Sequence, residues 1–176
     1  AAILTNKLLQ LAGGAVYDEN GKAQIVHDQK LEVLDQLIEE ANGQPVLVFY
    51  NYKHELDRLQ VRYPQAVHVK EENVVKRWNA KEIPILLANP ASAGHGLNLQ
   101  FGGHIAIWYS PTWNLEFFQQ ANKRLHRRGQ AETVLIHTLS AKGTIDERIY
   151  DIVLRNKEAG QNALLEAVKA RIKEVT

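Results

Sequence analysis

The chain contains no cysteine and no methionine. The first absence excludes disulfides, thiolate zinc sites and a cysteine nucleophile. It also fits a reducing compartment, and a cytoplasmic location is expected. The second absence extends to position 1, so the sequence reads as a piece of a longer polypeptide. No apolar run approaches the roughly 20 residues that span a bilayer, and no signal-peptide pattern opens the chain; no membrane partner is expected. The formal net charge is only +1, so a polyanion would have to meet a local patch and not a global field. None of the seven histidines falls in a metal-ligand spacing such as H-E-x-x-H, and no metal is expected to be held by this chain alone. Internal repeats and low-complexity segments are absent as well.

What is present is an ordinary globular composition, 45% apolar and 23% charged over 176 residues, enough for one α/β domain with a full core. Residues 1–27 read as a connecting segment with a short helix around Leu4–Leu11, a brief strand at Ala15–Tyr17 and a turn at Asp18–Gly21. Asp28 suits the N-cap of a helix through Ala41, whose Leu31, Leu34, Leu37, Ile38 and Ala41 form one apolar stripe. Val46–Tyr50, Ile85–Ala88 and Ile105–Tyr109 are continuous apolar runs of strand length, the pattern of strands covered on both faces. Shorter strands are expected at Ala66–Val69 and Thr133–Thr138, with helices at Lys53–Leu59 and Glu71–Ala80 between. Thr144 and Glu147 have capping-box spacing and should open a helical tail, broken near Gly160 and reaching about Lys173. Strands separated by helices imply parallel pairing through right-handed crossovers, hence a three-layer α/β domain with a mostly parallel central sheet.

Ligands in such sheets sit beyond the carboxyl ends of the strands. Two unusual segments fall there and should be neighbours. The first is the glycine-containing loop N-P-A-S-A-G-H-G-L-N-L, Asn89 to Leu99. Its glycines let backbone N–H groups approach a phosphate or sugar, or simply form a tight turn. The second is Q-Q-A-N-K-R-L-H-R-R-G-Q, Gln119 to Gln130. Read as a helix from near Asn114 to Gly129, it gathers Leu115, Phe118, Ala121 and Leu125 on one face. Gln120, Arg124 and Arg127 then form a stripe roughly opposite. Guanidiniums stay charged and grip phosphate oxygens in a fixed fork. His126 falls nearer the apolar side and reads as structural. Trp78 and Trp108 read as core, while Trp113, at the mouth of the arginine helix, is a candidate stacking residue.

Four segments in order, L-V-F-Y at Leu47–Tyr50, S-A-G-H-G-L-N-L at Ser92–Leu99, Q-A-N-K-R-L-H-R-R-G-Q at Gln120–Gln130 and T-I-D-E-R-I at Thr144–Ile149, resemble the second, C-terminal RecA-like lobe of Swi/Snf-family ATPases of helicase superfamily two, in its compact bacterial and phage form. The resemblance covers about Asp28 to Lys157, leaving 158–176 as a helical tail. It implies a RecA-like fold and ATP-driven translocation along double-stranded DNA. By that likeness Arg124 and Arg127 are arginine fingers, with Gln120 placing the γ-phosphate or attacking water. Gly94, Gly96 and Asn98 would lie near the nucleotide, and Asn51, Lys53, His54 and Ser92 near the DNA backbone. The chain departs from the family at Lys123, usually acidic, at Arg128, usually aliphatic, and at Asn89-Pro90, where a serine-threonine pair is common.

Neither G-x-x-x-x-G-K-[ST] nor a D-E-x-H box occurs anywhere in the sequence. The phosphate-cradling loop and the magnesium carboxylates therefore have to come from an N-terminal RecA-like lobe of the same polypeptide, with ATP and magnesium bound mainly there. The expectation is half of a motor, inactive alone. The alternative from the residues themselves is a non-catalytic α/β module that binds nucleic acid through its basic segment.

Overall fold

The computed structural model describes residues 2–93, 96–153 and 155. Its centre is a five-stranded sheet in the order β4-β5-β3-β6-β7, built from β3 (Val46–Phe49), β4 (Val67–His68), β5 (Ile85–Ala88), β6 (Ile105–Trp108) and β7 (Leu135–Thr138). Every pairing in it is parallel. The three apolar runs supply β5, β3 and β6, and all twelve of their residues are buried. A strand between two neighbours and under helices on both sides has no solvent face, which is why its sequence does not alternate.

Successive strand residues point to opposite faces and nucleate two separate cores. Leu47, Phe49, Leu86, Ala88, Ala106 and Trp108 meet Val74 and Trp78 of α4 (Val74–Asn79) and Phe118 and Ala121 of α6 (Leu115–Asn122). Ile149, Tyr150 and Val153 join them from a further helix, α7, over residues 145–153. On the other face, Val46, Val48, Ile85, Leu87, Ile105 and Ile107 meet Leu31 and Leu34 of α2 (Gln29–Glu40) and Leu59 of α3 (Lys53–Arg62). The expected three-layer arrangement is present. Trp78 and Trp108 are fully buried. Gly102 and Gly103 make room for the first of them, since a Cβ on Gly102 would lie 2.3 Å from the indole.

Residues ahead of α2 do more than connect. They form α1 (Ala2–Ala12) and an antiparallel hairpin of β1 (Ala15–Tyr17) and β2 (Ala23–Ile25). Leu9, Ala12 and Ala15 enter the core. Arg58 of α3 donates to the carbonyls of Gly13 (2.8 Å) and His27 (2.7 Å). Tyr109 Oη also donates to Gly13, at 3.1 Å. Gly14 at φ +96 is required twice over, because a Cβ there would meet the His27 carbonyl at 2.4 Å. The helix and strand expected in this segment are present, and its backbone also satisfies polar groups of the domain.

Two expected caps form differently. The Asp28 carboxylate pairs with Arg58 at 2.7 Å instead of capping α2. Thr144 Oγ1 accepts from the Asp146 N–H, while Glu147 reaches back one residue further than a capping box requires, to Gly143 N at 3.0 Å. Asp146 is fully buried and ion-paired with Lys30, which joins the start of α7 to the start of α2. The tail expected beyond residue 157 lies outside the described residues.

Candidate functional site

Three loops leave the carboxyl ends of β3, β5 and β6, and side-chain amides join them. Asn89, after β5, donates to the carbonyls of Tyr50 and Asn51, both at 3.3 Å. Its own Oδ1 accepts from Ala91 at the start of the short helix α5 (Pro90–Ala93). Asn51, after β3, donates to the carbonyl of Pro111, after β6. Beneath them lies Glu55, fully buried, accepting from the N–H groups of Asn51 (2.8 Å) and Tyr52 (3.2 Å) and from the Ser110 hydroxyl. Burial raises its carboxyl pKa, and those hydrogen bonds oppose the rise. A buried carboxylate with three donors is a fixed strut. It sets the direction in which the chain leaves β6 for α6.

α6 begins at Asn114, whose side chain accepts from Phe117 N at 3.0 Å. It ends at Asn122, earlier than the periodicity predicts. Asn122 is held there by Trp108, whose indole N–H donates to its Oδ1 at 2.9 Å. Residues 123–129 are turns and bends. The arginines therefore do not form a helical stripe, and that expectation is corrected. They converge nevertheless. Gly96, Gln120, Lys123, Arg124, His126, Arg127 and Arg128 line one open depression of about 520 Å³, so the glycine loop and the arginine segment are neighbours as expected. α5 also packs against α6.

Inside the depression Arg124 is half-buried and Arg127 exposed. Burial first, and then the Arg127 charge, lower the pKa of the Arg124 guanidinium from its ordinary value. A guanidinium remains cationic through such a shift, so the site holds repelling positive charges that an anion would relieve. Gln120 lines the same wall, and its amide donates to Glu116 at 2.8 Å. His126 is exposed and lines the depression, against the structural role read for it. Lys123 and Arg128, the departures from the family pattern, add two further cations to the same wall.

The remaining expected residues divide. Gly96 lies at φ +73 with open space around its Cβ position, so the conformation, not crowding, selects glycine there. Asn98 is not among the residues lining the depression. Its carbonyl accepts from Asn79 at 2.9 Å. Gly94 lies outside the described residues, and Ser92 falls in α5. Lys53 is exposed at the start of α3 and pairs with Asp57 at 2.9 Å. His54 is 2% exposed, stacked on Tyr52 and edge-on to Tyr17. It has no surface to offer a DNA backbone, and that expectation is corrected. Trp113, by contrast, is 47% exposed beside α6.

Comparison with known proteins agrees with this geometry. Residues 29–129 match the helicase conserved C-terminal domain. Protein p41 of Acyrthosiphon pisum secondary endosymbiont phage 1 is 42% identical over 97% of this chain and 38% of its own length. The chromatin-remodeling ATPase INO80 of Mycosarcoma maydis is 32% identical over 86% of the chain and 9% of its own length. An uncharacterised ATP-dependent helicase of Mycoplasma genitalium is 30% identical over 85% of the chain and 14% of its own. The chain thus spans well under half of each relative. In three dimensions the C-terminal part of the Fun30 ATPase domain superposes with a TM-score of 0.62 over 70% of this chain and 44% of that one, at 24% identity.

A parallel RecA-like sheet, a basic depression at its carboxyl edge and a family match across most of both define the class: a helicase C-terminal-type lobe. The chain belongs to the helicase conserved C-terminal domain family, and over most of its length it is similar to part of a chromatin-remodeling ATPase.

Proposed function

We propose that this lobe works as one half of an ATP-dependent double-stranded DNA translocase, closing on nucleotide held by an N-terminal RecA-like lobe. The observation that carries the reading is the single depression lined by Gly96, Gln120 and the cations Lys123, Arg124, Arg127 and Arg128. Among the described residues its lining is cationic and carries no carboxylate, which fits phosphate oxygens better than a magnesium ion. Arg124, half-buried, supplies a fixed charge at the wall. Arg127, exposed, reaches the phosphates across the cleft and offsets charge developing in phosphoryl transfer. Gln120 orients the γ-phosphate or the attacking water. Asn51 and Lys53, at the neighbouring loop after β3, and Ser92, in α5, follow the DNA backbone. The names of the relatives, a chromatin-remodeling ATPase and an ATP-dependent helicase, support ATP as the nucleotide.

The test joins this chain to its partner lobe and follows ATP hydrolysis with and without duplex DNA. Duplex-stimulated turnover is expected from the joined protein and none from the chain alone. Arg127→Ala is expected to lower kcat by about 10³ or more, the scale of an arginine finger. Turnover near the unsubstituted value in that variant overturns the assignment. Tight, salt-sensitive DNA binding by the chain alone, with no gain from the other lobe, would support the binding module instead.

A further inference from the structure

The segment bearing Arg124 and Arg127 has no regular helix to support it, yet one side chain braces it from behind. Gln130 Nε2 donates to three main-chain carbonyls: Gln100 at 2.7 Å, Gly103 at 3.1 Å and Leu125 at 3.4 Å. Gln130 N donates to the Arg127 carbonyl at 3.0 Å, and Oε1 accepts from Glu132 N at 3.0 Å. Leu125 lies between the two arginines in sequence and is wholly buried. Its side chain is therefore fixed by the core and its carbonyl by Gln130. Gln100 and Gly103 belong to the stretch that continues the glycine loop. That stretch is itself held by Trp78, donating to the Leu99 carbonyl at 2.8 Å, and by Asn79, bonded to Asn98 and Phe101. One half-buried amide thus ties the arginine segment, at Leu125, to the stretch that follows the glycine loop, at Gln100 and Gly103. Gln130 does not line that depression; it borders a small cavity of about 160 Å³ with Gln100, Gly103 and Glu132.

We propose that Gln130 is a positioning residue for phosphate recognition, fixing the turn at Leu125 so that the Arg124 and Arg127 guanidiniums are set before nucleotide arrives. This rests on the reading of those arginines as groups that act on ATP. The chemistry singles out a primary amide. Its NH₂ is the only part of the side chain that can serve carbonyl acceptors. A carboxylate would place negative oxygens against three carbonyls, and alanine would leave them to water. A misplacement of about 1 Å in charged groups acting on a transition state is costly in rate, while binding of the substrate ground state changes less.

Two measurements test the role. In the chain joined to its partner lobe, Gln130→Ala and Gln130→Glu are each expected to lower kcat for duplex-stimulated ATP hydrolysis about 10- to 100-fold, with KM for ATP moving less than about threefold. In the 176-residue chain itself, amide hydrogen exchange at Arg124–Arg127 is expected to quicken at least about tenfold in both variants. Leu34→Ala, in the core on the other face of the sheet, serves as the stability control; it should lower Tm while keeping kcat within about twofold. Arg127→Ala is measured in parallel. If it abolishes turnover while both Gln130 variants retain theirs, the role of Gln130 is overturned and the arginine reading stands. If the Leu34 variant loses as much kcat as the Gln130 variants, the effect is general destabilisation and the role is overturned again. If Arg127→Ala keeps full turnover, the arginine reading fails and takes the catalytic part of this inference with it.

Discussion

Between Tyr17 and Tyr52, at ring distances of 5.1 and 5.3 Å, the imidazole of His54 has exchanged water for aromatic faces. Burial pushes its pKa down to about 4, and the Arg58 charge pushes in the same direction. An unfolded chain would protonate the same side chain near 6.5. Between those values the unfolded state binds a proton that the folded state refuses, so stability falls as pH drops from about 6.5 toward 4. The expected loss from this group is on the order of 2 kcal/mol. Urea unfolding at pH 7 and pH 4.5 should show it, and His54→Phe should lack that step; equal pH dependence in both proteins would rule it out. The family resemblance groups His54 with Asn51 and Lys53 because all three follow β3. Its inward orientation depends on Tyr17, thirty-seven residues away in the chain, and no local pattern reports such a partner. Glu55 was illegible for the same reason. Its role appears only when Ser110 is beside it.

At the scale of elements, legibility followed the source of order. β3, β5 and β6 were readable because four consecutive buried apolar residues leave few alternatives. α6 was overextended for a physical reason. Leu125 still reaches the core, fully buried, after the helix has stopped at Asn122. The turn delivers the same side chain to the same face, so the apolar spacing continues through a backbone that is no longer helical. The gathering of Arg124 and Arg127 beside Gly96 does not depend on helical phase, because the turn after Asn122 brings them to the same depression. α1 and the β1–β2 hairpin were underestimated, their strands being three residues each. Their contribution is expected to be large: deleting residues 1–27 removes the buried Leu9 and Ala15 and strands Arg58, whose guanidinium serves Gly13 and His27. A stability loss of at least about 3 kcal/mol, or failure to fold, is expected in thermal unfolding. A truncated chain with unchanged Tm would show that the segment is only draped over the domain.

For the whole molecule, the near-neutral net charge and the clustered cations belong together. Positive charge is concentrated at one edge, while cations elsewhere are neutralised in pairs such as Arg62 with Asp35, Lys53 with Asp57 and Lys30 with Asp146. Such a distribution presents a local attraction for phosphates with little long-range pull. It suits a lobe whose anion is brought to it on another domain.

The strand order β4-β5-β3-β6-β7 has a consequence for the chain as it is made. β3 leaves the ribosome first among these five and is central, with β5 and β6 as its neighbours. Its second neighbour is not synthesised until residue 108, and Lys30 waits still longer for Asp146. During vectorial synthesis the most apolar strand therefore spends the longest time with an open edge, the condition under which nascent chains aggregate or recruit chaperones. Ribosome-bound chains with residues up to about 104 clear of the exit tunnel should be cut readily by protease, and chains carrying residues through 155 clear of it should resist. Protection of the shorter chains would mean that β3, β4 and β5 form a stable unit before β6 arrives.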